Sequence, residues 1–322
     1  MATIVDLLSQ SNQMMDDMLW VEGNQTSGTK TTVRTGLPSG TWRLLYQGVQ
    51  PTKSTTAQVL ENCGNLEAYS QVDKDLADLN GNTAEFRLGE DSAFFEGLTQ
   101  QMQAALLYSN QLTTPAQIMG LAPRYASLSA GTAANIIDAG GTGSTNTSIW
   151  LVGWGPQTIA GIFPKAKIGG LMHEDLGRDT LVQSDGSLLE VYRSHFKWEA
   201  GLMVRDWRFA VRICNIDVTL LGGGSAANLI NALVSACHRV PVAPSGASIN
   251  VDPTKPSGVV GGSVRWAIYC NRVVASALDR QALNKTNVLL QMGQWDGKPV
   301  TMFRGIPIRI VDQLLSTEAR IT

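Results

Sequence analysis

The sequence predicts an α+β fold, because helical and strand patterns occur in blocks along the chain rather than in regular alternation. Residues 149–154 form an apolar run typical of a buried strand, and residues 207–214 alternate apolar with other side chains at the period of a strand. Residues 91–109 repeat apolar side chains every three or four positions, which predicts a long helix. At 322 residues, the chain is long enough to form two parts.

The N-terminal segment predicts an acidic helical arm. Apolar residues between positions 4 and 20 recur at roughly helical spacing, and the first 22 residues contain neither Lys nor Arg. This charge argues against a basic nucleic-acid arm and against a secretory signal, which needs a positive start. We expect the arm to comprise residues 1–28 and to lie along an inner surface or under a neighbouring chain.

An extended hairpin is predicted after the arm, over residues 29–52. Residues 30–48 read as two strands joined by a turn at residues 37–40. An isolated two-stranded hairpin is marginal in water, and its apolar side chains need a cover. The simplest cover is another copy of the same chain. The residues expected at this contact are Val33, Arg34, Leu37, Trp42, Arg43, Leu44 and Tyr46.

The next block, residues 53–218, opens with a predicted strand over residues 66–72 and a short helix capped by Asp73. The long helix over residues 91–109 should then span about 27 Å, a length suited to a spine under a sheet. A β-rich part begins at residue 149 and ends in a predicted hairpin over residues 188–217.

The second strand of that predicted hairpin carries a set of basic residues. Arg208 and Arg212 lie opposite its apolar residues, and Arg205 precedes them. We expect this face of the strand to be solvent-exposed and the three arginines to form ion pairs with another subunit. Contact with nucleic acid is the less favoured alternative, because the carboxylates of Asp206 and Glu199 reduce the local positive charge.

The last third, residues 219–322, predicts a helix over residues 226–237, a strand over 264–270, a helix over 272–283 and a terminal hairpin around Arg304-Gly305. A boundary is therefore expected near residue 218. Glycine-rich positions in the hairpin and at this boundary are candidate hinges. They are Gly36, Gly40, Gly48, Gly222, Gly223 and Gly224.

Composition narrows the class of protein. The net charge of −2 argues against a dedicated nucleic-acid binder, and the 16% of charged residues suggests a surface that is partly covered. No apolar run is long enough for a membrane helix. The four cysteines are far apart in sequence, which is typical of reduced thiols rather than a disulfide framework.

No pattern predicts a catalytic, cofactor or metal site. His173-Glu174-Asp175 falls in a predicted loop, and the side chains of Cys237 and His238 diverge on a helix. The glycines at 222–224 lack the spacing of a phosphate-binding loop. No His, Cys, Asp or Glu spacing fits a metal site. An enzyme of unknown class stays a remote alternative.

Several short motifs resemble a known family in their joint order. They are TVRTGLP at 32–38, WRLL at 42–45, WGP at 154–156, GIFP at 161–164, DLG at 175–177, GLMV at 201–204, YCNR at 269–272, GKPV at 297–300 and GIPI at 305–308. In these motifs the chain resembles a tailed-bacteriophage major capsid protein of the Hong Kong 97 fold, in the branch found in short-tailed phages. The likeness covers nearly the whole chain.

The resemblance implies an N-terminal arm, an extended loop, a peripheral domain with a spine helix over residues 53–218, and an axial domain over residues 219–322. It also implies pentamers and hexamers in an icosahedral virion head around double-stranded DNA, assembled in the bacterial cytoplasm. The expected partners are a portal, a scaffolding protein and a cement or decoration protein, with no cofactor, membrane or sequence-specific DNA contact.

Two points stay open under this resemblance. The strands at residues 196–217 precede the axial motif, whereas the long peripheral strands usually follow it, so a permuted connectivity is an alternative. An encapsulin-like nanocompartment shell protein shares the fold without a virus. A terminase and a portal encoded nearby would favour the phage.

Overall fold

The computed structural model describes residues 10–79, 81–223, 227–241, 249–251, 262–283, 290–295 and 298–322. Its α-helices are α1 (Met14–Asp17), α2 (Lys74–Asp78), α3 (Thr83–Tyr108), α4 (Leu229–Arg239) and α5 (Arg272–Leu283). Its strands are β1 (Trp20–Glu22), β2 (Gly28–Gly36), β3 (Thr55–Asn62), β4 (Gly64–Asp73), β5 (Ile136–Asp138), β6 (Asn146–Trp154), β7 (Ile159–Phe163), β8 (Leu171–Val182), β9 (Leu188–Val204), β10 (Ala210–Asp217), β11 (Ile249–Val251), β12 (Gly262–Cys270), β13 (Leu290–Trp295), β14 (Lys298–Phe303) and β15 (Ile306–Ile310).

A large mixed sheet organises the chain, along the path β13-β14-β15-β12-β6-β7-β9-β4. Strand β6 is buried at every position and pairs antiparallel with β10 on one side and β12 on the other. The predicted strand at 149–154 and the α+β class are therefore confirmed. Because β12 pairs with β6, the described strands on both sides of residue 218 share one sheet, and the domain boundary there stays a prediction.

Large aromatic side chains fill the core beside β6. Tyr125 meets Trp150 edge to face with ring centroids 5.6 Å apart. Trp154 Nε1 donates to the Tyr269 hydroxyl at 2.7 Å, so the indole and the phenol satisfy each other in a buried site. Helix α4 packs against β10 and α5 on this core.

The predicted spine helix is longer than its apolar repeat indicated. Helix α3 has 26 residues and begins at Thr83 rather than Asp91, so it spans about 39 Å. Most residues of its first two turns are exposed or half-buried. They therefore carry no strong apolar periodicity, which is why the sequence pattern missed them. The preceding helix α2 is capped as predicted, because Asp73 accepts from the backbone N–H groups of Asp75 and Leu76.

Within residues 10–28 the N-terminal segment is helical only over α1, so the predicted helical character is wrong there, while the arm over residues 1–28 stays a prediction. Helix α1 has only four residues, and Met14 and Met18 are buried in the chain's own core. Asp17 accepts from the Tyr269 hydroxyl at 3.1 Å and from Arg309 at 3.2 Å. Burial raises the pKa of this carboxyl. The segment therefore packs into its own subunit, and residues 1–9 lie outside the described ranges.

The predicted hairpin over residues 188–217 is also wrong. Strand β9 pairs with β8, β4 and β7, whereas β10 pairs with β6 and β5. Asp206 accepts from the backbone N–H of Arg208 and so caps a 3-10 turn at Trp207–Phe209, which redirects the chain between the two strands. The terminal hairpin β14–β15 is confirmed, with Arg304 and Gly305 both at positive φ in its turn.

The C-terminal segment closes the core around a buried ion pair. Arg212 on β10 is 4% exposed, and its guanidinium lies 2.8 Å from Glu318. Tyr108 and Ser148 donate to the same carboxylate. The expectation that Arg212 lies on a solvent-exposed face and forms an inter-subunit ion pair is therefore wrong. The reason is that β10 is covered on both faces, and the covering residue Glu318 lies 106 positions downstream.

Candidate subunit interface

The extended loop is a two-stranded ribbon that forms a sheet of its own. Strand β2 pairs antiparallel with β3, from Gly28 opposite Asn62 to Gly36 opposite Thr55. The predicted second strand at residues 41–48 is wrong, since residues 37–54 form the connection instead. A turn at Leu44–Gln47, with Tyr46 at φ 65°, interrupts the extended backbone that a strand there would need.

The root of this ribbon is fixed to the body. Glu61 of β3 accepts two hydrogen bonds from the Arg124 guanidinium, each 2.7 Å long, and such bidentate pairs hold their geometry well. Gly28 of β2 lies so close to β3 that an added Cβ would sit 2.1 Å from the carbonyl oxygen of Glu61. The backbone N–H of Cys63 also donates to the Ser27 carbonyl at 2.9 Å. The direction in which the ribbon leaves the body is thereby set.

The tip of the ribbon, residues 37–54, exposes large apolar side chains. Trp42 and Tyr46 are fully exposed, and Leu37, Leu44 and Leu45 are 80%, 71% and 85% exposed. Hydrogen bonds inside the tip hold its backbone, such as the one from Thr52 Oγ1 to the Ser39 carbonyl at 3.0 Å. Such a concentration of exposed apolar side chains marks an interaction surface.

The fold places the other residues that were predicted at subunit contacts in different environments. Val33 is half-buried on the ribbon, and Arg34 and Arg43 are exposed. Arg208 is paired with Asp206 at 2.7 Å, and Arg205 donates to the Pro156 carbonyl at 2.8 Å. The structure therefore does not gather Arg205 and Arg208 with the buried Arg212. A contact of Arg205 or Arg208 with a second subunit stays a prediction.

The candidate hinge glycines lie in open surroundings. A Cβ added at Gly40, Gly48 or Gly222 would meet no atom within 4 Å, and one at Gly223 would meet only the Leu220 carbonyl at 3.8 Å. Gly36 differs, because a Cβ there would lie 2.4 Å from the Thr55 hydroxyl. Gly224 lies outside the described residues. The hinge role of these positions stays a prediction.

Burial disfavours the reactive thiolate form of the described cysteines. Burial raises the pKa of the Cys63 and Cys214 thiols to about 11 and that of Cys270 to about 12, so these thiols are protonated at neutral pH. Burial, with the nearby Glu318, also raises the pKa of Tyr108, which lines an open groove of 440 Å³ between α3 and β4. Within the described ranges, no group of three His, Cys, Asp or Glu side chains could hold a metal ion.

His173 lies in strand β8, so the predicted loop at His173-Glu174-Asp175 is wrong. Its ring stacks on Phe196 with centroids 4.9 Å apart, and its Nε2 lies 3.5 Å from the Asp91 carboxylate. The glycine that suggested a loop, Gly177, instead occupies a register shift in the β8–β9 pairing. The histidine thus connects the long hairpin to the spine helix.

A family model described as major capsid protein GP7 matches residues 1–322, the whole chain. The chain belongs to the GP7 major capsid protein family. It is similar to a chain in the structure of bacteriophage epsilon15, with 35% identity, a TM-score of 0.75, and coverage of 99% of this chain and 92% of that one. The α+β architecture is accordingly that of a Hong Kong 97-like capsid protein.

Weaker likenesses extend to other shells. The SrpI encapsulin of Synechococcus elongatus matches at 10% identity with a TM-score of 0.48, over 68% of this chain and 92% of that one. The capsid of the native GTA particle matches at 10% identity with a TM-score of 0.46, over 66% and 93%. Neither likeness is strong enough to bear on function. No curated protein matches the chain significantly.

Membership of the GP7 family places the protein in the virion, as a structural subunit that associates with copies of itself to form a capsid shell. It is not an enzyme. In the part of the chain that the structure describes, no helix combines the length and apolarity needed to cross a membrane. The site of interest is therefore the surface that meets the next subunit, and the exposed ribbon tip is the first candidate.

Proposed function

We propose that this GP7-family protein assembles into pentamers and hexamers of an icosahedral phage head, with each ribbon lying over the adjacent subunit. The observation that carries the proposal is an apolar tip, with Trp42 and Tyr46 fully exposed, on a ribbon whose root is fixed by Glu61 and Arg124. Strand β2 alone holds the tip about 30 Å from the root. The tip is thus directed away from its own core, and a neighbour is its natural cover.

Head-to-tail contacts of this kind close into rings when the rotation between subunits allows it. One chain must then fit both five-membered and six-membered rings, which requires local adjustment. The open surroundings of Gly40, Gly48, Gly222 and Gly223 support these glycines as the positions that adjust. Gly36 at the end of β2 is the remaining described candidate.

The head would enclose double-stranded DNA without reading its sequence. The net charge of −2 supports this role, because a shell that does not bind DNA phosphates tightly allows the DNA to move during packaging. We further propose a portal and a scaffolding protein as partners, with a cement or decoration protein on the shell. Assembly would take place in the cytoplasm of the bacterial host.

A matched pair of leucines tests the role of the tip. Leu45 on the tip and Leu112 on the body are both 85% exposed, so Leu→Ala changes them equally in the isolated chain. In negative-stain microscopy, Leu45→Ala should lower the yield of particles or rings while Leu112→Ala leaves it unchanged. Equal yields from both variants would refute the role of the tip. A purified chain that stays monomeric at high concentration would refute the assembly itself.

A further inference from the structure

A short turn of the body connects the ribbon to the buried core. The 3-10 turn Ala122–Tyr125 carries Arg124, whose guanidinium holds Glu61 of β3 with two hydrogen bonds of 2.7 Å. On the core side of the same turn, the backbone carbonyl of Tyr125 accepts from the Arg212 guanidinium at 3.0 Å. The root of the ribbon and the core of the subunit are therefore bonded to the same short turn.

Arg212 holds this turn with a guanidinium whose direction is fixed. Its Nε donates to Ser148 at 3.0 Å and its Nη2 donates to Glu318 at 2.8 Å. The remaining nitrogen, Nη1, reaches the carbonyl oxygens of Tyr125 and Ala122 at 3.0 and 3.4 Å. Because a guanidinium is planar and rigid, a change at the Glu318 end displaces the end that bonds the turn. Such charge-assisted bonds are about twice as strong as neutral ones.

Glu318 is placed by the segment that follows β15, residues 311–322. Its backbone N–H donates to the Asn146 carbonyl at 2.9 Å. The Tyr108 hydroxyl donates to the Glu318 carboxylate and accepts from the backbone N–H of Leu315 at 3.0 Å. A buried guanidinium needs a counter-charge, and Glu318 supplies it to Arg212 only when this segment is seated.

We propose that the seated segment 311–322 locks the direction of the ribbon, through Glu318, Arg212 and the turn Ala122–Tyr125. Glu318 is then a positioning residue, because it acts on the ribbon through two arginines. A hydrogen-bond network couples distant sites when its members have two discrete arrangements, which are here the seated and the unseated segment. The lock rests on the proposed function, since the direction of the ribbon matters only if its tip covers a neighbour.

The lock ties assembly to the order of synthesis. Residues 28–62 of the ribbon are made roughly ten seconds or more before Glu318, at about 5–20 residues per second. Until Glu318 is seated, Arg212 lacks its counter-charge and its hold on the turn is lost, so the ribbon root stays loose. A loose root adds an ordering cost to every contact that the tip makes. The species that assembles is therefore the chain folded through residue 318 rather than an incomplete one.

Two tyrosines form a matched pair for testing the lock. The hydroxyls of Tyr108 and Tyr269 each donate to a carboxylate, that of Glu318 and that of Asp17, and each accepts from one N–H group. Replacement by phenylalanine removes the same two hydrogen bonds at either place and leaves each carboxylate paired with its arginine. Only Tyr108 belongs to the lock, so Tyr269→Phe measures the effect of a general loss of core stability.

Amide hydrogen exchange measures the ribbon root directly. The backbone N–H of Cys63 donates to the Ser27 carbonyl and closes the root. Tyr108→Phe should speed exchange at Cys63 about fivefold or more, the lower end of the range for coupled sites, and should raise the protein concentration needed for assembly. Tyr269→Phe should leave exchange at Cys63 and the assembly concentration unchanged. Denaturant titrations of both variants show whether their losses in unfolding free energy are comparable.

A double-variant cycle separates the lock from general loosening. Glu61→Ala removes the acceptor that Arg124 holds on the ribbon. In that background Tyr108→Phe should add little further exchange at Cys63, because the connection from the turn to the ribbon is already broken.

The lock is overturned if Tyr108→Phe and Tyr269→Phe speed exchange at Cys63 equally, or if the effects of Tyr108→Phe and Glu61→Ala simply add. Normal assembly of a Tyr108→Phe subunit with a loosened root would also overturn it, because the direction of the ribbon would then not govern assembly. If Leu45→Ala impairs assembly in any of these cases, the proposed function stands and only the lock fails.

Discussion

Replacement of Trp42 by alanine should weaken assembly far more than folding. Trp42 is fully exposed in the subunit and touches no core residue cluster, so its removal costs the isolated fold almost nothing. Covering a tryptophan buries about 150–250 Å², which corresponds to about 4–6 kcal/mol at about 25 cal/mol per Å². Ordering of the tip offsets part of this gain. We expect a net loss of about 2 kcal/mol per contact, typical of an interface hot spot.

Such a loss corresponds to a roughly 30-fold increase in the protein concentration at which particles form. Light scattering over a concentration series measures that threshold, and sedimentation separates particles from free subunits. Far-UV circular dichroism of the unassembled Trp42→Ala subunit should match the wild type, and Leu112→Ala serves as the control for an exposed apolar side chain on the body. A threshold that is unchanged, together with a lower melting temperature, would show that Trp42 serves the subunit's own fold.

Three further predictions concern the subunit itself. Glu318→Gln should lower the free energy of unfolding by about 3–5 kcal/mol in denaturant titrations, because the buried Arg212 loses its counter-charge; a loss below 1 kcal/mol would contradict this. Gly28→Ala should speed amide hydrogen exchange along β2, since a Cβ would clash with β3, whereas Gly40→Ala, with open space, should not; equal exchange in both would be inconsistent with the fixed root. A hydrogen bond from Arg272 lowers the pKa of the Asp312 carboxyl below its ordinary value of 3.8. The ion pair should stabilise the fold by about 0.5–1 kcal/mol; this stabilisation is present above pH 4 and is lost as the pH falls through the lowered pKa. Asp312→Asn should therefore destabilise the fold at pH 7, and this effect should shrink as the pH falls below 4, as thermal melts over a pH series would reveal.

The sequence was most informative where a local pattern decides the structure. The apolar run of β6, the capping Asp73 of α2 and the Arg304-Gly305 turn each carry their own signal within a few residues. The exposed apolar tip could also be anticipated, since Trp42 and Tyr46 occur in a segment without an apolar strand beside it.

Features set by distant residues could not be anticipated. Arg212 looked solvent-exposed because its partner Glu318 lies far along the chain, and only the fold brings them together. The ribbon's second strand was misplaced because Trp42 and Leu44 suggested pairing, whereas β3 supplies a longer register against β2.

In an assembled shell, the ribbon tip of one subunit should be covered by another subunit. Hydroxyl-radical footprinting measures this directly, by comparing modification of Trp42 in dissociated subunits and in assembled particles, with the buried Trp150 as an internal reference. Strong modification of Trp42 in the subunit and modification as low as that of Trp150 in the particle is the predicted result. Equal modification of Trp42 in both states would show that no neighbouring subunit covers the tip.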